Sequence, residues 1–162
     1  MMKRGLWMTV GIVLAVGIGA CTGTGQTNRG AVASPGDPVI GLLNKGIAQL
    51  TVNINSVSKR ISGLQQSSAT PDPTLQELQA LDLSGWQLHR QQWVLQRDHL
   101  MVARDLLQRV QAAPSEKIRL LDQWREHWNT YLKSFDELRQ KRHILESQHR
   151  EMEARLIERR LE

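Results

Sequence analysis

The chain has 162 residues, with 21 basic and 16 acidic side chains, five histidines and a single cysteine. One cysteine excludes an intrachain disulfide and a cysteine-based zinc site. The net charge of +5 does not describe a nucleic-acid surface, because residues 74–162 carry 15 basic and 14 acidic side chains interleaved along the chain, as on a solvated helix.

Lys3 and Arg4 precede residues 5–20, an uncharged, glycine-rich stretch in which only Thr9 is polar. Sixteen residues fall short of the roughly 20 needed to span a bilayer core, so the pattern reads as a secretory signal peptide. The run Ile18-Gly19-Ala20-Cys21 closes it, with the lone cysteine at the end. This run resembles the lipobox of bacterial lipoproteins, and the resemblance covers residues 1–22. It implies cleavage between Ala20 and Cys21, a diacylglyceryl group on the Cys21 thiol and acylation, palmitate included, of the new amine. Each buried methylene contributes about 0.8 kcal/mol, so two or three chains anchor durably where one does not. In Gram-negative lipoproteins an aspartate after the cysteine commonly signals inner-membrane retention. Thr22 stands there instead, which resembles the default for the outer membrane, facing the periplasm.

Residues 21–36 follow as a tether rich in Gly, Ser, Thr and Asn with no periodicity, and a chain of that length has a reach of roughly 20 Å. A helical region is expected over 37–162. Asp37-Pro38 reads as an N-cap followed by a first-turn proline. Ile40, Ile47, Ile54 and Ile61 then recur every seven residues, with Leu43, Leu50, Val57 and Leu64 three places after each. This is a coiled-coil seam on a helix weakened by Gly41, Gly46 and Gly63. Such a seam has to be buried, either within the chain or against another chain. The helix is expected at about 38–66.

Residues 67–73, SSATPDP, break it, since two prolines cannot continue a helix. Thr74-Leu75-Gln76-Glu77 reads as a capping box, and so does Ser84-Gly85-Trp86-Gln87. One helix over about 73–112 and a short helix followed by a long one both fit. This segment has two apolar stripes, Trp86, Trp93, Leu100 and Leu107 on one side and Leu81, Leu88, Leu95 and Val102 on nearly the opposite side. A helix apolar on two faces is covered on both, which makes it the middle of three.

Pro114 marks the next break, and a short loop makes the flanking helices antiparallel neighbours. The third helix is expected at about 115–161. Its seam is Leu121, Trp128, Phe135, Arg142, His149 and Leu156 in one row and Trp124, Tyr131, Leu138, Leu145, Met152 and Arg159 in the other. Folding at Pro114 sets Leu107 level with Leu121, Leu100 with Trp128, Trp93 with Phe135 and Trp86 with Arg142. Arg142 then either lies over the Trp86 ring or snorkels to water. The fold expected is all-α: a long antiparallel hairpin plus an N-terminal heptad helix, as a three-helix bundle or coiled coil.

No motif for catalysis is present. None of His89, His99, His127, His143 and His149 forms an i, i+4 pair, and neither HExxH, GxSxG nor a phosphate loop occurs. No catalytic residue, metal or cofactor is expected, and no enzyme. The first helix, Ile40 to Leu64, resembles the heptad helix of the major outer-membrane lipoprotein of enteric bacteria. That family ends in a lysine joined to peptidoglycan, whereas this sequence reads Arg160-Leu161-Glu162, so cell-wall attachment is not carried over. The function expected is a lipid-anchored scaffold or adaptor in the cell envelope, meeting a protein partner or a second copy. The alternative is a lipoprotein that holds a small hydrophobic ligand or lipid among Trp86, Trp93, Trp124, Trp128, Tyr131 and Phe135. Beyond Leu138 the third seam turns mixed and is expected to fray. Arg142, Leu145, His149, Met152 and Leu156 are therefore the expected partner contact.

Overall fold

The computed structural model describes residues 37–66 and 71–161. The signal segment, Ala20, Cys21 and the tether lie outside the described residues. Three helices follow in order: α1, Pro38–Gln66; α2, Pro73–Ala112; and α3, Lys117–Leu161, entered through a short 3-10 turn at Pro114–Glu116. The fold is all-α, and among the described residues no helix is long and apolar enough to cross a membrane.

The start of α1 is held by Asp37, whose carboxylate accepts from the N–H groups of Val39 at 2.8 Å and Ile40 at 3.2 Å. Burial pushes the pKa of this carboxyl up. Hydrogen bonds from Ile40, Val39 and Gln111 outweigh burial and hold it below its usual value. The expected capping box at Thr74 is not formed. Asp72, extended at φ −79° and ψ 117°, is the N-cap of α2 and accepts from Thr74 and Leu75. Pro73 fixes the first helical residue and Thr74 is buried. The second box does not start a helix either. Ser84 turns its hydroxyl back to donate to the Ala80 carbonyl at 2.9 Å, and α2 runs unbroken through Gly85.

Helix α2 is the middle element, packed against α1 on one side and α3 on the other. The α1 seam is covered within the chain: Leu43, Ile54 and Val57 are buried and the other five heptad residues are half-buried. The two helices run antiparallel, fixed by Arg90 donating to Ser58 at 2.9 Å and Arg104 donating to Asn44 at 3.2 Å. Gln111 donates to Asp37 at the far end. The hairpin of α2 and α3 is antiparallel as well, with His99 meeting His127 and Asp82 meeting His149.

Which stripe of α2 meets which neighbour differs from the expectation. Leu100 packs with Leu43 and Ala103, and Leu107 lies against that cluster with Ile47 and Leu50. Trp86 lies under the Arg60 guanidinium of α1, 4.4 Å from the ring centroid. The Trp86–Leu107 stripe thus faces α1, not α3. Arg142 makes no stack with Trp86 and instead pairs with Glu146 at 3.2 Å, half-buried. The opposite stripe meets α3, where Leu95 lines a groove with Leu138 and Leu81 one with Met152. Both faces were visible as periodicities, but a period of 3.6 does not say which partner covers which face. Trp124 ties α3 to the α1–α2 core, and Leu120, 1% exposed, is the most completely buried large side chain described.

Candidate functional site

The residues expected to meet a partner at the far end of α3 lie along the seam. Leu145 and Leu156 are half-buried and Met152 is 8% exposed. His149 reaches across to Asp82 at 3.2 Å, with Glu153 of its own helix at 3.6 Å. Arg159, the last seam residue, is exposed and lies 3.9 Å from Asp72. Helix α3 continues to Leu161, Leu81 and Met152 line one groove, and the hairpin mouth is bridged by the His149–Asp82 hydrogen bond and the Arg159–Asp72 ion pair. The large exposed apolar side chains of this end are Ile144, Ile157 and Leu161, which are not seam residues.

Between α2 and α3 runs a groove open to solvent and lined by these two helices alone. One stretch, about 360 Å³, has Val94, Leu95 and Leu138 in its floor, with Gln91, Glu137 and Lys141 beside it. A second, about 370 Å³, has Ala80, Leu81 and Met152, with Glu77, Glu151 and Arg155. Each residue of the second pairs with a residue of the first fourteen places away in sequence, on both helices. The two stretches are therefore one groove sampled two heptads apart, as expected for helices supercoiled at a 3.5-residue period. Ile144, 61% exposed, stands midway at the heptad position of Glu137 and Glu151. The apolar floor takes Leu81 and Leu95 from the Leu81–Val102 stripe of α2, with Ala80 and Val94 beside them, and Leu138 and Met152 from the α3 seam.

The aromatic side chains form two groups, not one. Trp86 and Trp93 flank His89, at 6.0 and 5.4 Å between centroids. Trp124, Trp128, Tyr131 and Phe135 run along α3, and His99 of α2 fills the space beside them. Its ring stacks on Tyr131 at 4.0 Å and lies 5.0 Å from Trp124 and 5.1 Å from Trp128. His99 is 4% exposed. Its Nδ1 is 3.1 Å from Nε2 of His127, so one imidazole donates and the other accepts. Burial, with the nearby His127 charge, lowers the His99 pKa to about 4. Burial lowers that of His127 and raises that of Tyr131. His89 is also lowered, by burial first and then by Arg142.

His99 is not marked by any i, i+4 histidine pair, because its partner His127 lies on another helix. A signal was present: His99 stands four residues after Leu95 and three before Val102, on the stripe that faces α3, level with Trp128. Neither groove stretch opens among these aromatic rings. Among the described residues no three His, Cys, Asp or Glu side chains come together to hold a metal ion. No protein-family model, no curated protein and no solved structure matches the chain.

Proposed function

We propose that the chain is a lipid-anchored helical scaffold of the bacterial envelope, acting through protein contacts made on the α2–α3 groove. The observation that carries this reading is the groove: an apolar floor repeated two heptads apart, with exposed Ile144 between its two stretches. A coiled-coil groove of this kind takes an amphipathic helix whose large apolar side chains recur at heptad spacing. Rim charges of both signs, Glu137 with Lys141 and Glu151 with Arg155, set the register and direction of such a helix more than its affinity.

The anchor fits the same arrangement. Residue 37, where the tether joins, lies beside Gln111 at the end where α2 turns into α3. The opposite end is about 60 Å away along the 40-residue α2. A lipid on Cys21 would therefore hold the rod by that end, through a tether that does not fix its direction. Replacing Cys21 with Ser is expected to leave the precursor uncleaved by the lipoprotein signal peptidase and unlabelled by a palmitate analogue. Normal processing and labelling of that variant would overturn the anchor.

A further inference from the structure

His99 and His127 stand apart from the groove, and nothing in the scaffold reading uses them. Their rings are 12° from parallel, with centroids 5.1 Å apart. A 3.1 Å nitrogen contact plus the radii of two five-membered rings nearly accounts for that separation, so the hydrogen bond lies close to both ring planes. One proton between two neutral imidazoles satisfies both facing nitrogens. The other His99 nitrogen, Nε2, is buried with no hydrogen-bond partner among the described residues.

Among the described residues no charge of opposite sign faces this pair. From α3 it meets Trp124, Trp128 and Tyr131. Asp122 lies at the surface, paired with Arg125, and Glu126 and Lys133 are exposed. On α2 the neighbouring Asp98 is turned outward and bound by Arg97 at 2.7 Å, while Gln96 is neutral. Of the charged residues of α1 and its cap, Lys45 and Lys59 are exposed, Arg60 covers Trp86, and Asp37 is held at the far end by Gln111. A second proton held by His99 would thus create a cation shut away from water with no carboxylate beside it, while His127 is half-buried and keeps some contact with solvent. Stacking on Tyr131 and Trp128 returns part of that cost through cation–π attraction, but burial is the larger effect. At the mouth of the same hairpin His149 lies between Asp82 at 3.2 Å and Glu153 at 3.6 Å, and Arg159 lies near Asp72.

We propose that the His99–His127 pair is an acid-sensitive latch. At neutral pH it closes α3 onto α2 through the aromatic segment, and protonation releases that segment while the mouth stays clamped. An unfolded or released histidine titrates near 6.5, while His99 in the closed state takes a proton only near 4. Closure is therefore fully favoured above pH 6.5 and weakens progressively as the pH falls towards 4. Between pH 7 and pH 5, His99 alone is expected to raise the open fraction roughly twentyfold. For a protein outside the inner membrane, that window is reached whenever the surroundings acidify.

The test is amide hydrogen exchange of the full mature chain at pH 7 and pH 5, expressed as protection factors so that the intrinsic pH dependence of exchange is removed. Protection across residues 120–135 is expected to fall by roughly twentyfold at pH 5, with residues 145–156 unchanged or better protected. His99→Phe keeps a ring in the stack and removes the His99 titration, so the fall in protection across 120–135 should largely disappear. His127→Asn, which keeps a hydrogen-bonding partner without a titrating ring, should flatten the response in part and serves if His99→Phe does not fold. Equal protection of the wild type at both pH values would overturn the latch. So would loss of both segments together, or an acid response undiminished in the histidine variants.

Discussion

Gly46 is where the packing of α1 on α2 can be tested with a single methyl group. A helix-interior glycine costs about 0.8–1.0 kcal/mol relative to alanine. At Gly41 and Gly63 an added Cβ meets nothing within 4 Å, so Gly63→Ala should stabilise the protein by about that amount. At Gly46 the same Cβ would lie 2.9 Å from Cδ1 of Leu100, well inside the roughly 3.5–4.0 Å of an ordinary carbon contact. Leu100 is 7% exposed and packed with Leu43 and Ala103, so its methyl has little room to turn away. Overpacking of this kind costs about 1–3 kcal/mol, which cancels or exceeds the propensity gain. The net expectation for Gly46→Ala is between no change and about 2 kcal/mol of destabilisation. Urea denaturation of the two variants beside the wild type, with slopes compared to exclude denatured-state effects, reads the difference. Stabilisation of both by the same amount would mean that the helices do not approach at this level, and the antiparallel register of α1 on α2 would be wrong.

Leu120→Ala removes a side chain 1% exposed and should cost about 2–5 kcal/mol, whereas Ile118→Ala, two residues away and 78% exposed, should stay within about 0.5 kcal/mol. Comparable losses in thermal or urea unfolding would mean that α3 is rotated about its axis. The Arg60 contact on Trp86 should appear as a coupling of about 0.5–1 kcal/mol in a cycle of Arg60→Ala, Trp86→Leu and the double variant. A coupling of zero there, with a finite one between Arg142 and Trp86, would restore the pairing expected from the heptads.

Much of the architecture is written in residues whose constraints are local. Pro71, Pro73 and Pro114 cannot stand inside a helix, and the chain breaks at each. Every Ile, Leu and Val of the α1 seam is buried or half-buried, because a heptad row has no alternative but to face a neighbour. Features that depend on a choice between neighbours were not legible. Asp72 and Thr74 are both good N-caps, and Pro73 decides between them by claiming the first helical position. Trp86 lies on a face that either α1 or α3 could have covered, and Arg60 and Arg142 were both available to meet it. The groove has the same origin: its floor residues, Ala80, Leu81, Val94, Leu95, Leu138 and Met152, are ordinary apolar residues, and its fourteen-residue repeat emerges only once two helices are set side by side. His99 belongs to this class too, since its partner is 28 positions away and on another helix.

The central claim, that partners are met on the α2–α3 groove of an anchored rod, is tested most directly by a photo-crosslinking amino acid placed at Ile144 in intact cells. A control at Lys59 occupies an exposed position on α1. A discrete protein adduct is expected from position 144 and none of that mass from position 59. The adduct should weaken when Glu137 and Lys141 on the groove rim are exchanged for Lys and Glu, while folding is retained. The same adducts from both positions, or none from 144 alongside a discrete adduct elsewhere on the rod, would contradict it.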